Sequence, residues 1–279
     1  MGKLDFIRVP LPAAKMMTAI LGRGIELNVT PPFAFTSQGK TATTEVTILL
    51  LVNTVESMSV KHAIIFDLDG TLVDTAPDLT DALNATMSAL DLPEVDEASV
   101  RHMVGRGARV LIERGLSAAG VKADKALVDQ AMAIFLSHYS DHIADRSQPF
   151  DGVIETLNHF RQLETPMGVC TNKPQALTIK LLEILELIDY FPVILGADKV
   201  RNRKPHPDHL LETISGLKIA PKNAIMIGDS TADVEAARAA GVPIIAVSFG
   251  YSYVAPHDLG ADLVIDDFTL LPDAIRGFS

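Results

Sequence analysis

The sequence predicts an α/β fold: a parallel sheet core with helices on both faces and an inserted all-helical cap. Three observations predict it. Short continuous apolar runs such as Ala63-Ile64-Ile65-Phe66 suit strands buried on both faces. From about residue 148 onward such runs alternate with helical patterns, as a parallel sheet covered by helices requires. Between about residues 78 and 147 there is no strand pattern at all.

Residues 1–57 read differently from the rest. Pro31-Pro32, Ser37-Gln38-Gly39 and Thr41-Ala42-Thr43-Thr44 give loops without a period. The apolar stretch 11–21 is interrupted by Lys15 and makes a poor signal-peptide core. The run 46–52 is too short to span a bilayer. The expectation is an extension outside the working part of the chain, with Met58 as a natural start. A disordered tail and a targeting peptide are the alternatives, and Asp5, Glu26, Glu45 and Glu56 count against the second. Mass spectrometry of the native N-terminus distinguishes them.

After the strand at 63–66, Pro77 suits a first helical position, and Leu79, Leu83, Met87 and Leu90 recur near every fourth residue. Leu92-Pro93 ends that helix, and Gly105-Arg106-Gly107 punctuates the chain. A second helix carries Val110, Leu111 and Arg114, and a third spans about 125–139. Helices at 153–163, 175–185, 208–215 and 232–240 then alternate with strands at 167–170, 193–195, 224–227 and 244–247, and a last strand lies at 263–265. The expected division is 58–77 with 148–279 as the core, 78–147 as the cap and 1–57 as the extension.

The chain has 279 residues and a formal net charge of -11. That length buries a sizeable core. The acidic balance argues against a nucleic-acid backbone or an anionic membrane surface as partner. Cys170 is the one cysteine, so no disulfide within the chain is possible, which fits a reducing cytoplasm. It ends an apolar run, where a thiol is a buried structural group.

Ligands of open parallel sheets bind outside the carboxyl ends of the strands. Four polar clusters follow strands here: Asp67-Leu68-Asp69, Thr171-Asn172-Lys173, Arg203-Lys204-Pro205 and Gly228-Asp229-Ser230-Thr231-Ala232-Asp233. Residues i and i+2 of an extended segment project to one side, so Asp67 and Asp69 are close like charges that folding alone does not favour. A hard cation and a phosphoryl group explain them. One carboxylate attacks phosphorus and the other carries the proton. Magnesium binds through one or two carboxylates plus substrate oxygens. Lys204 adds a compact cation. Thr171 offers a hydroxyl and Asn172 an amide to a charged oxygen. A surface lysine before a turn is the plainer reading of Lys204. For Asp233 it is an acid favoured by the helix dipole.

Together these clusters resemble the haloacid dehalogenase superfamily of phosphohydrolases, over about residue 61 to the C-terminus. Asp67-Leu68-Asp69-Gly70-Thr71-Leu72 resembles its first motif, Thr171 its second, Lys204 its third, and Gly228-Asp229 with Asp233 its fourth. The resemblance implies a Rossmann-like core. It also implies a nucleophilic Asp67 forming an aspartyl-phosphate, and Asp69 as the acid and then the base. Magnesium (Mg2+) would be held by Asp67, the Asp69 carbonyl and Asp229, with Asp233 as a ligand or as an anchor behind the ligands. Asp69 points to phosphate transfer, because members that cleave carbon–halogen bonds have no alkoxide to protonate. The helical insert resembles the cap found between the first two motifs of one subgroup.

Thr75-Ala76-Pro77-Asp78-Leu79, Met103-Val104-Gly105-Arg106-Gly107-Ala108, Leu111-Ile112-Glu113-Arg114 and Val169-Cys170-Thr171-Asn172-Lys173-Pro174 are similar to bacterial phosphoglycolate phosphatases. This implies a small phosphorylated metabolite as partner, no nucleic acid, no membrane, and a cytoplasmic monomer or homodimer. A carboxylate on the substrate needs a cation. Arg106 is one candidate, against the alternative of an ordinary exposed arginine, and Lys173 is its rival. Another small-metabolite phosphatase, a pyrophosphatase and a phosphosugar mutase are the alternatives among enzymes. A non-catalytic binding module would be expected to lose Asp67 or Asp69.

Overall fold

The structure, a computed structural model, describes residues 62–278; the expectations for residues 1–57 lie outside them. Strand β1 is Ala63–Phe66. The remaining strands of the main sheet are β4 (Met167–Thr171), β5 (Val193–Gly196), β6 (Ala224–Gly228), β7 (Ile244–Val247) and β8 (Leu263–Ile265). All pairings are parallel, in the order β5-β4-β1-β6-β7-β8. A short antiparallel pair, β2 (Val73–Asp74) and β3 (Gln148–Pro149), stands apart.

The apolar runs form strands because both of their faces are covered. Ile64, Phe66, Ile225 and Ile227 face a cluster that includes Leu157 of α5 (Val153–Gln162) and Leu181 of α6 (Gln175–Ile184). Leu271 of α9 (Leu271–Arg276) belongs to the same cluster. Ile65, Met226 and Ile244 face the opposite cluster, with Leu210 of α7 (Pro207–Gly216) and Val234 of α8 (Thr231–Ala240). The period-2 alternation along β1 and β6 thus sends successive side chains to the two helical layers. Cys170 lies in the second cluster, fully buried, and burial pushes its thiol up to about 12. It is a packing group, as its place in an apolar run implies.

Between β2 and β3 the chain is helical: α1 (Ala76–Ala89), α2 (Glu97–Arg101), α3 (Ala108–Ala118) and α4 (Lys125–Asp141). Leu79, Leu83 and Met87 of α1 pack in one cluster with Val128 and Phe135 of α4. The β2–β3 pair joins the two passages of chain into and out of this insert. Asp78 ties the same two passages, accepting from Ser147 N at 2.7 Å and Arg146 N at 3.0 Å. The first helix ends at Ala89 rather than near Leu92, and α2 and α9 come in addition to the helices expected. Both are too short to display a helical period.

The strand order decides where the site lies. From β1 the chain moves outward through β4 to β5, then returns across to β6 on the other side of β1. The order reverses at β1, and the crevice at such a switch point collects side chains from the carboxyl ends of adjacent strands. Among the described residues no helix is long and apolar enough to cross a membrane.

Candidate active site

Asp67 immediately follows β1. Its N–H donates to Ile227 O at 2.9 Å, extending the ladder to β6 by one residue. This pins Asp67 beside the strand end that carries Asp229. Asp69 closes a tight loop in which Gly70 N donates to Val73 O at 3.0 Å. Gly70 has φ +85°, and a Cβ there would lie 2.4 Å from Asp229 Oδ2. Only glycine lets the loop press this closely on the neighbouring carboxylate.

Two acids, Asp67 and Asp233, converge on one lysine, with a third, Asp229, beside them. Lys204 Nζ lies 2.9 Å from Asp67 Oδ1 and donates to Asp233 Oδ1 at 2.6 Å. Asp233 also accepts through Oδ2 from Ser230 N at 3.1 Å and Ser230 Oγ at 2.6 Å, a capping box at the start of α8. Asp229 accepts from Tyr251 N at 2.7 Å and, more loosely, from Thr71 Oγ1 at 3.4 Å. Burial, then Asp233 and Asp69, push the Asp67 carboxyl up to about 7 against the opposing pull of Lys204. Burial and the charges of Asp233 and Asp67 likewise hold Asp229 well above the usual carboxylate range. Burial alone would favour neutral Lys204, but Asp233 and Asp67 outweigh it and keep the ammonium charged.

The residues after β4 form the other wall. Thr171 is buried, and its Oγ1 accepts from Lys173 N at 3.1 Å, which leaves its own proton to donate. Lys173 Nζ donates to Asp69 Oδ1 at 2.9 Å and to Tyr139 Oη at 2.7 Å, and lies 4.6 Å from the Tyr139 ring centroid. Burial works against its charge, yet Asp69 and Tyr139 raise its pKa above the ordinary value. Asn172 Nδ2 donates to Gly105 O and Lys204 O, both at 3.1 Å. Both amide hydrogens are therefore spent on backbone. Asn172 tethers the Gly105 loop to the Lys204 loop, in place of the substrate donor its sequence position suggested. Arg106 Nη2 reaches Thr231 Oγ1 at 3.3 Å, at the start of α8.

Asp67, Asp69, Thr171, Asn172 and Lys173 line one cavity of about 40 Å³, roofed by residues of the helical insert. Arg106 is not in that lining, although its neighbours Gly105 and Gly107 are. The sequence left Arg106 and Lys173 as rivals for a carboxylate contact; of the two, the cavity exposes Lys173.

The donor set fits magnesium. Asp67, Asp229 and Asp233 each present an oxygen such that the three atoms lie within 4.8 Å of one another. Ionised together, these three carboxylates against one ammonium would carry an excess of two negative charges, which a divalent cation would neutralise. Asp67 Oδ1 is buried with no hydrogen-bond partner among the described residues, despite its ionic contact with Lys204. An all-oxygen donor set suits a hard cation. Both Asp233 oxygens are already engaged, so it fits the anchoring role better than the ligand role.

Two residues of the site escaped the sequence reading. Tyr139 read as the end of an amphipathic helix, where an aromatic residue signals packing. Tyr251 lies four residues beyond β7, on the same sheet edge as the other clusters, and that placement was a usable signal. Besides holding Asp229, it accepts at Oη from Ala76 N at 3.0 Å and donates to Asp74.

Comparison with known proteins agrees with this geometry. The model of the haloacid dehalogenase-like hydrolase family matches residues 64–247. A phosphoglycolate phosphatase of Mesorhizobium japonicum is 44% identical over 211 residues, covering 76% of this chain and 93% of that protein. One of Caulobacter vibrioides is 44% identical over 211 residues, covering 76% and 89%. A crystal structure described as a predicted phosphoglycolate phosphatase from Haemophilus somnus superimposes with a TM-score of 0.74 at 28% identity, covering 78% of this chain and 99% of that one. The chain belongs to the haloacid dehalogenase-like hydrolase family. It is an enzyme, and its reaction class is that of a phosphatase.

Proposed function

We propose that this phosphatase hydrolyses 2-phosphoglycolate to glycolate and phosphate, through a phosphoryl group carried transiently on Asp67. The observation that carries the reading is the convergence of Asp67, Asp69 and the buried ammonium of Lys173 on one small cavity. The names of the relatives at 44% identity support the substrate.

Asp67 attacks phosphorus, and the ester P–O bond breaks. Asp69 gives its proton to the departing glycolate oxygen, so the leaving group never departs as a bare alkoxide. Asp69 then takes a proton from water as that water attacks the phosphoryl group, and inorganic phosphate leaves with Asp67 restored. Thr171 donates to a phosphoryl oxygen, and Lys204 holds Asp67 in place while offsetting negative charge. Asp67, Asp229 and the backbone carbonyl of Asp69, with Asp233 anchoring behind them, would hold magnesium, which would supply charge neutralisation at the phosphoryl oxygens. The helical insert acts as a cap that limits water around the reacting atoms. The enzyme works in the cytoplasm on a small metabolite.

The test is kcat/KM with magnesium on 2-phosphoglycolate, pyrophosphate, β-glucose 1-phosphate and several sugar and nucleoside phosphates. The expected result is a preference for 2-phosphoglycolate of about two orders of magnitude, or roughly 3 kcal/mol in the transition state. A flat profile, or another substrate in the lead, overturns the substrate assignment.

A further inference from the structure

The wall of the cavity contributed by the helical insert is almost wholly apolar. Leu79, Val104, Ala108, Leu111 and Phe135 supply its side chains, with Gly105 and Gly107 supplying backbone. The one polar side chain on that wall is Tyr139. It lies on α4, 1% exposed, with its ring stacked on Phe135 at 5.6 Å.

A phenol has one O–H donor and can also accept. Tyr139 Oη accepts from Lys173 Nζ, and its own proton has no acceptor among the described residues. Burial pushes the phenol up to about 12, so the proton stays on it near neutral pH. An ammonium has three donors. Lys173 spends one on Asp69 and one on Tyr139, leaving the third without an acceptor among the described residues. Two spare donors, one of them charged, thus sit 2.7 Å apart beside Asp69.

We propose that Tyr139 and Lys173 together form a fork for an anionic group on the alcohol side of the substrate, and that Tyr139 is a specificity-determining residue. This deepens, and rests on, the phosphoglycolate reading. The substrate class it names is a short phosphate ester whose carboxylate lies near the ester carbon. A sugar phosphate would bring several hydroxyls against a wall that offers a single polar side chain, and unpaired buried hydroxyls are costly. Lys173 comes from the core and Tyr139 from the insert, so the fork is complete only when the two are packed together as here.

The experiment compares 2-phosphoglycolate with ethyl phosphate, which has a similar length but no carboxylate, in the wild type and in Tyr139→Phe. Phenylalanine keeps the ring stack on Phe135 and removes only the hydroxyl. The kcat/KM ratio of phosphoglycolate to ethyl phosphate should fall about tenfold in the variant, the size expected for one hydrogen bond to a charged group. Inhibition by glycolate should weaken by a similar factor relative to inhibition by inorganic phosphate. A wild type without preference for phosphoglycolate over ethyl phosphate overturns the substrate reading and the fork with it. A wild type with that preference, alongside a variant whose ratio is unchanged, overturns the fork alone. Circular dichroism and the thermal midpoint of the variant identify a folding defect, and the glycolate-to-phosphate inhibition ratio of the folded fraction then decides.

Discussion

Lys204 Nζ lies 2.9 Å from Asp67 Oδ1, and both side chains are sealed from solvent. Asp67 Oδ1 nonetheless has no aligned hydrogen-bond partner among the described residues. Its orientation depends on charge and on the backbone bond from Asp67 N to Ile227 O. A carboxylate held this way keeps its lone pairs open for a metal or a phosphorus atom.

Asp67→Asn should reduce kcat by at least about a thousandfold, because the amide is a far weaker nucleophile at nearly the same volume. The fold should remain, and without metal the variant should melt higher than the wild type at pH 8. The sign follows from the carboxyl's rise from 3.8 to about 7. A raised carboxylate contributes stability that is full below about 3.8 and is lost as pH passes about 7. At pH 8 the wild type lacks that contribution, whereas the neutral amide never ionises. Retained turnover removes Asp67 as nucleophile. A lower midpoint at pH 8 contradicts the crowding of the acids.

Lys204→Met should destabilise the metal-free protein by about 3–5 kcal/mol at pH 8, the usual cost of breaking a buried charge pair. The loss should be smaller at pH 5, where the orphaned acids take up protons. Urea denaturation at the two pH values measures the difference, and equal losses would mean that Lys204 does not neutralise the cluster.

Gly70→Ala should cost about 1–3 kcal/mol from backbone strain at φ +85°. It should lower kcat/KM more than tenfold, since the new methyl would stand 2.4 Å from Asp229 Oδ2 and displace it. Wild-type magnesium dependence in this variant would show that Asp229 can move without consequence.

His209 makes stability depend on pH in the opposite direction. Its Nε2 bonds Leu195 O at 3.0 Å, and its Nδ1 accepts weakly from Lys204 N at 3.4 Å, which is the neutral tautomer. Burial, then the charge of Lys204, lower its pKa from 6.5 to about 4. A depressed base contributes stability that is present above about 6.5 and lost as pH falls through about 4. Between pH 7 and pH 4 the wild type should therefore lose about 2–3 kcal/mol more than His209→Gln. Asp67 titrates in the other direction over part of this range, so the difference between the two proteins is the quantity to measure. Parallel curves would remove His209 from the account.

Most of the element order was legible in the chain because the signals are local. Apolar runs such as Ile64-Ile65-Phe66 and the fourfold spacing of Leu79, Leu83 and Met87 are set by neighbours a few residues apart. The placement of Asp67, Thr171 and Asp229 at or just beyond strand ends is legible for the same reason. One-turn elements such as α2 were not, since five residues cannot show a period.

The sequence by itself determined the strands, most of the helices, and the chemical character of the residues that follow the strands. Only the tertiary structure decided which of those residues meet. The order β5-β4-β1-β6-β7-β8 sets Asp67 beside Asp229, and that order depends on pairings between segments far apart in the chain. Lys173 meets an acid from the first strand's loop and a phenol from α4 at once, while Asn172 next to it becomes a tether. Arg106, the more conspicuous cation in its Gly-flanked loop, reaches Thr231 instead. Such contacts depend on how helices seat on one another, and no local spacing encodes them.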